Sequence, residues 1–327
     1  MNVQSLFLLR GFLNVANDPA LSQSKKSKSN YELLEQLKEN SLNWYDVKFQ
    51  GYTLPSTREA HTWCRIWSWR GCMNVAGHAG TEAEGRAFVK SFLNQCFSAN
   101  CGKCASSWIS RESNKSASRL ERYEKDTGEK SKHIIISPPS WLCDKPVSEL
   151  RKEVYQILKN LNAQGGLLIV HPFREEHEQE TLSGKTRWYP SIHFHVVGFG
   201  WLNYGLVVEN YHKSGWIVKD KGIRETDYGT VRYLLTHAGV KKGFHTVTWF
   251  GKLSYSNLSM PKYDNTSQLC PYCSEKAVRV LPYDVSSTIP PPQMIECLVD
   301  VASWFIPEYP QFLWVGGNRV RRNIFHN

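Results

Sequence analysis

Between residues 133 and 250 the apolar and polar positions of this chain fall into a readable order. His133-Ile134-Ile135-Ile136-Ser137 is a β-branched run stopped by Pro138-Pro139, which predicts a buried strand. Val147, Leu150, Val154, Ile157, Leu158 and Leu161 recur at helical spacing and predict an amphipathic helix ending near Gly165. Strands are predicted at about 166–171 and 191–199, and again at Trp216-Ile217-Val218. Asp227 can cap a helix running through Leu235, with Gly239 as its stop, before a last strand, His245-Thr246-Val247-Thr248-Trp249-Phe250.

This order matches the split βαβ, ferredoxin-like pattern: an α+β domain with an antiparallel sheet and helices on one face. Four segments follow. Residues 1–60 are an N-terminal extension holding the polar linker Ser22-Gln23-Ser24-Lys25-Lys26-Ser27-Lys28-Ser29-Asn30, and residues 61–130 a zinc-binding module with a basic helix. Residues 131–252 are the sheet domain, and 253–327 a C-terminal extension containing a Cys-x-x-Cys pair. Arg111 to Lys132, with Arg119, Arg122, Lys125 and Lys130, predicts a solvated helix and loop.

Composition adds a partner class. With 41% apolar residues, 12 Trp and 15 Tyr, the chain can build a core. A formal charge of +10 and pI near 9.1 favour a polyanionic partner such as nucleic acid. Nine cysteines, an odd number with two pairs at metal-like spacing, argue against a secreted disulfide framework. Leu6-Phe7-Leu8-Leu9 is too short for a signal peptide, and no stretch approaches the roughly 20 apolar residues of a membrane span. A cytoplasmic protein that does not enter membranes is expected. No G-x-x-x-x-G-K-[ST] phosphate-binding loop is visible.

The candidate chemistry lies in Ile192-His193-Phe194-His195-Val196. Strand side chains alternate, so His193 and His195 share a face and can grip one divalent ion. His171 closes the preceding strand where the pair enters the next and offers a third ligand. Imidazoles suit Mn2+ better than Mg2+. In Tyr228-Gly-Thr-Val-Arg-Tyr233-Leu-Leu-Thr-His237, Tyr233 and His237 are i,i+4 neighbours. Tyr228 and Tyr233 lie roughly 140° apart around a helix, so only one faces the metal, and Tyr233 is preferred. A phenol of pKa about 10 needs a nearby base or metal field, and His237 is placed to help.

The His133-Ile-Ile-Ile-Ser-Pro-Pro strand, the His193-Phe-His195 motif and Tyr233-Leu-Leu-Thr-His237, in that order, resemble rolling-circle replication initiators of the HUH endonuclease superfamily. These are the Rep proteins of plasmids and viruses, and the likeness is strongest to archaeal examples. It covers about residues 133–250, with a weaker similarity over the upstream cysteines. It implies a metal-dependent DNA endonuclease and strand transferase. Tyr233 would attack a phosphate of a single-stranded or hairpin DNA origin, form a 5′-phosphotyrosine link and release a 3′-hydroxyl. A host helicase and polymerase would then extend it. The resemblance also implies Glu175 and Glu176 as alternatives to His171 for the third ligand. His237 stands where the family usually has lysine. A transposase of the same superfamily, or a non-catalytic zinc-dependent DNA-binding protein, are the alternatives.

Two cysteine groups suggest structural Zn2+. Cys96-x4-Cys101-x2-Cys104 has zinc spacing, with His78 and Cys72 the first candidates for its fourth ligand and Cys64 and His61 behind them. Cys270-Pro-Tyr-Cys273 is a second pair, which His245 or His237 could complete; alternatively the two groups share one ion.

Overall fold

The computed structural model describes residues 44–176, 187–200, 205, 209, 213–261, 268–283, 291–307, 313–315 and 318–320. The Leu6–Leu9 run and the polar stretch at 22–30 lie outside them. Strands β1 (Trp67–Cys72) and β2 (Ala87–Leu93) precede helix α1 (Ala105–Thr127) and strand β3 (Lys132–Ser137). Helix α2 (Val147–Asn160), strands β4 (Gly165–Glu176), β5 (Arg187–Phe199) and β6 (Ile217–Ile223), helix α3 (Asp227–Thr236) and strand β7 (Val247–Gly251) follow. Then come β8 (Val278–Pro282), β9 (Glu296–Val299), β10 (Trp304–Phe305), β11 (Leu313–Val315) and β12 (Asn318–Val320). Two compact units result: residues 1–59 with 98–260, and residues 60–97 with 261–327. Among the described residues no helix is long and apolar enough to cross a membrane.

The first unit is built on a five-stranded antiparallel sheet in the order β6-β3-β5-β4-β7. Both faces are apolar. Ile134, Ile136, Leu168, Val170, Phe194 and Val196 pack with Val147, Leu150, Val154, Ile157 and Leu158 of α2. Leu167, Ile169, Val197 and Phe199 pack on the opposite face with Trp108, Leu120 and Tyr123 of α1 and Val231, Leu234 and Leu235 of α3. The sheet therefore carries helices on both faces, not on one, because each strand alternates large apolar residues to both sides. At one end glycines let the strands close up. A Cβ on Gly166 would sit 2.4 Å from the Val197 carbonyl oxygen, and one on Gly198 2.6 Å from that of Gly165.

Helix α1 corrects the expectation of a solvated segment. Its buried side carries Trp108, Ser113, Ser116, Ala117, Arg119, Leu120 and Tyr123, a face too small and polar to register as an apolar stripe. Arg119 is buried and points inward. Its Nε donates to the Leu253 carbonyl at 2.8 Å, and Nη2 to those of Ser254, at 3.0 Å, and Leu258. The guanidinium also lies 5.2 and 4.8 Å from the ring centroids of Trp249 and Tyr255. Helix α3 begins at Thr226, whose hydroxyl oxygen accepts from Gly229 N–H at 3.1 Å, so the cap lies one residue before the predicted Asp227.

The second unit has its own antiparallel sheet in the order β10-β8-β1-β2-β9, drawn from two separated stretches of chain. One face packs Ala87, Val89 and Val280 with Trp304 and Trp69. On the other, Arg70 stands opposite Lys90 in β2 and opposite Arg279 in β8. The Arg70 guanidinium lies 4.4 Å from the Phe92 ring centroid. The Nε atoms of Arg70 and Arg279 are buried without a hydrogen-bond partner among the described residues. Burial and then the charge of Arg279 lower the pKa of Arg70.

Arg119→Leu should destabilise the protein by about 3 kcal/mol or more, since each buried acceptor left unpaired costs about 1–3 kcal/mol. Chemical denaturation at equilibrium measures this. A change of under about 0.5 kcal/mol, usual for a surface charge, would contradict the inward placement.

Candidate metal and catalytic site

The three histidines singled out from the sequence come together on the α1/α3 face of the first unit's sheet. His171 pairs with His193 across β4 and β5, with a register irregularity beside them between His171 and Phe173. Such bulges re-aim side chains next to functional sites. His171, His193 and His195 are all buried, and one ligand nitrogen from each lies within 4.8 Å of the others. The ring of His171 is centred 4.1 Å from that of His195 and 5.2 Å from that of His193.

Hydrogen bonds determine which nitrogens are free. A carbonyl oxygen can only accept, so His171 Nε2–H donates to Leu234 O at 2.9 Å and Nδ1 carries a lone pair. That Nδ1 is buried with no hydrogen-bond partner among the described residues. His193 Nδ1–H donates to Ser191 O at 2.9 Å, leaving the lone pair on Nε2. His195 Nδ1 lies 2.8 Å from His133 Nε2. Ligation through His195 Nε2 requires the proton on Nδ1, donated to His133. With that tautomer each of the three histidines keeps a lone pair, and the His171 nitrogen that carries one is buried without a hydrogen-bond partner among the described residues. These residues fit a divalent cation.

Burial first, then neighbouring positive charge, opposes protonation here. His193 is lowered to about 3 by burial and then Arg174, and His133 to about 4 by burial, Arg224 and Lys221. His171 and His195 fall well below the ordinary value by burial and the charges of the other histidines. The cluster is a set of neutral imidazoles, the form that binds metal.

The tyrosine helix docks directly on this cluster. His237, the residue closing α3, has its ring centred 4.5 Å from that of His171 and 5.0 Å from that of Tyr233. Thr236 Oγ1 donates to Tyr233 O at 2.6 Å and lies 2.9 Å from His237 Nδ1. With its one proton committed, that oxygen accepts from Nδ1–H, which leaves a lone pair on His237 Nε2. Burial lowers the His237 pKa and Glu175 works against it. Tyr233 is 64% exposed, whereas the Tyr228 hydroxyl accepts from Arg232 at 3.4 Å.

Other sequence candidates are placed differently. Glu175 is exposed, and the gathered ligands are the three histidines. Cys72 and His78, expected beside Cys96, gather with Cys270 and Cys273 in the second unit, in a set that could hold a metal ion. His245 is exposed ahead of β7 and takes no part in that set. Cys101 and Cys104 form the turn that starts α1, with Cys104 and Ala105 N–H both donating to Cys101 O. Two residues carry roles that the sequence did not suggest. His133 was visible only as a strand residue, and its contact with His195 depends on strand pairing. Arg174 is held by Ser191 Oγ at 3.1 Å and Ser137 Oγ at 3.2 Å, close enough to His193 to lower its pKa.

Acid should weaken the metal-free fold. These histidines are neutral when folded but protonate near pH 6.5 when unfolded, so their contribution is complete above about 6.5. It is lost as pH falls toward the folded values of about 4 for His133 and about 3 for His193. Thermal midpoints of metal-free protein should drop between pH 6.5 and 5, and His193→Gln should shrink that drop; a flat wild-type profile would contradict the buried neutral cluster. No family model, curated protein or solved structure matches the chain.

Proposed function

We propose that the chain nicks and rejoins single-stranded DNA through Tyr233, beside a divalent ion held by His171, His193 and His195, and serves as a rolling-circle replication initiator. The observation that carries this reading is the continuous file of rings from exposed Tyr233 through His237 to the buried cluster of lone pairs. A tyrosine that merely packed its helix on the sheet would be buried; this one is open to a macromolecular substrate.

Bound Mn2+, or Mg2+ as the alternative, would supply Lewis-acid polarisation of a phosphate oxygen. His237 Nε2 can accept the phenolic proton. Tyr233 Oη would form a bond to phosphorus as the P–O3′ bond breaks, leaving the 5′-phosphate on Tyr233, and the departing 3′-oxygen would take up a proton, returned from His237, to give the free 3′-hydroxyl. Arg174, fixed by two serine hydroxyls, offers a cation for a phosphate near His193. In the second unit the Lys90–Arg70–Arg279 row, with Phe92 under Arg70, supplies the charge and stacking surface that single-stranded nucleic acid uses.

Incubation of the full chain with a single-stranded origin oligonucleotide and Mn2+ should yield a covalent protein–DNA adduct. Tyr233→Phe should abolish it, and His193→Ala with His195→Ala should reduce it at least about a hundredfold. His237→Ala should slow it by about 10² or more. Binding without any adduct would overturn the enzyme reading in favour of a zinc-dependent DNA-binding protein. Joining of element ends to a new target, in place of origin recircularisation, would identify a transposase.

Arg70→Gln with Arg279→Gln should weaken oligonucleotide binding. It should also flatten the dependence of log K on log salt by about 1.4, two phosphate contacts at about 0.7 each for single strands. An unchanged slope would remove this face from the DNA path.

A further inference from the structure

The second unit is assembled from stretches on either side of residues 98–260, and its apolar core is small. Beside it lies a separate cluster of Cys72, Phe88 and Cys270, flanked by Tyr272, Cys273 and Leu298. Cys72 ends β1 and His78 lies in the short 3-10 turn that follows. Cys270 and Cys273 belong to a tight turn closed by Cys270 N–H to Glu275 O at 2.7 Å and Ser274 N–H to Cys270 O at 3.0 Å. Cys72 Sγ lies 3.4 Å from Cys273 Sγ, and Cys270 Sγ lies 3.3 Å from His78 Nε2. The ring of Tyr272 is centred 5.8 Å from those of His78 and Phe88, and its hydroxyl donates to Glu82 Oε1 at 2.9 Å.

Three further features prepare these atoms as ligands. His78 Nδ1–H donates to Arg86 O at 2.8 Å, so the Nε2 lone pair faces the sulfurs, and the ring is buried. Backbone N–H groups of Tyr272 and Cys273 reach the Cys270 sulfur, and that of Asn74 reaches Cys72, the donors that a metal-bound sulfur accepts. Gly77 lets the two loops meet, since a Cβ there would sit 3.2 Å from the Cys273 Cβ. Bonds of about 2.3 Å to sulfur and 2.0–2.1 Å to nitrogen give a zinc tetrahedron edges of roughly 3.5–3.8 Å. The two donor pairs lie within a few tenths of an ångström of that. A disulfide would leave the oriented, buried imidazole without purpose, and Cys72, Cys270 and Cys273 form no disulfide.

We infer that Cys72, His78, Cys270 and Cys273 bind one Zn2+ that joins the two halves of the second unit and is required for them to fold together. Three sulfurs and one imidazole nitrogen in a closed set select zinc over hard cations. The ion cross-links positions 201 residues apart, Cys72 to Cys273. It stabilises the folded unit by metal-binding free energy where apolar burial is limited. This inference is independent of the DNA chemistry proposed above.

The test uses the full chain purified in zinc. Elemental analysis and native mass spectrometry should show one fewer zinc per chain in Cys270→Ser with Cys273→Ser than in wild type. His78→Cys should keep the ion and His78→Ala should bind it at least about tenfold more weakly. Co2+ in the site should give tetrahedral sulfur-rich absorption bands that shift in His78→Cys. Should the double variant not fold, alkylation mapping of wild type decides: Cys72, Cys270 and Cys273 should be protected together with zinc and become reactive together on chelation. Equal zinc content in wild type and the double variant overturns the inference. So does free reactivity of these thiols in zinc-loaded protein, or a mapped Cys72–Cys273 disulfide.

Discussion

The hydrogen bond from His171 Nε2–H to the Leu234 carbonyl performs two tasks on which the candidate site depends. Leu234 lies in the last turn of α3, where carbonyls lack intrahelical partners, so the bond satisfies a group that burial would otherwise penalise. It thereby anchors the helix carrying Tyr233 to the strand carrying His171. The same bond fixes the His171 tautomer and turns the Nδ1 lone pair toward His193 and His195. Gly239 N–H, bonded to Val170 O at 2.8 Å, closes the dock just beyond the helix, and a Cβ there would collide with Pro172 Cδ at 2.7 Å. Position of the helix carrying Tyr233 and the tautomer of His171 follow from one contact.

Desolvation explains why such a cluster stays unprotonated. Imidazoles packed this closely cannot share protons without strong repulsion, and burial excludes the water that would screen it. Left neutral, they present unpaired nitrogens, which also cost free energy. A divalent ion coordinated by the three imidazoles would resolve both conflicts at once.

Much of this was legible because it is local. The His193–His195 alternation, the apolar periodicity of α2 and the helical pairing of Tyr233 with His237 each depend on a few neighbouring residues. What stayed hidden depends on register or long-range closure. His133 meets His195 only because β3 pairs with β5, and nothing within Lys132–Ser137 announces that partner. The packing face of α1 was disguised by Ser113, Ser116 and Arg119, and with it the second helical layer. Cys72 and His78 were near Cys96 in sequence and so were read as its partners; their actual neighbours lie nearly two hundred residues on, 192 for His78 and Cys270.

That separation has a meaning in time as well as in space. A ribosome adding roughly 5–20 residues per second completes Cys273 about 10–40 s after Cys72. For that interval the first half of the second unit exists without strands β8, β9 and β10, and Cys72 and His78 without the other two donors. The 98–260 stretch is synthesised wholly within the delay and can complete its own sheet first. The order of synthesis therefore sets an order of maturation: the histidine cluster can form while the cysteine–histidine set still awaits half of its atoms.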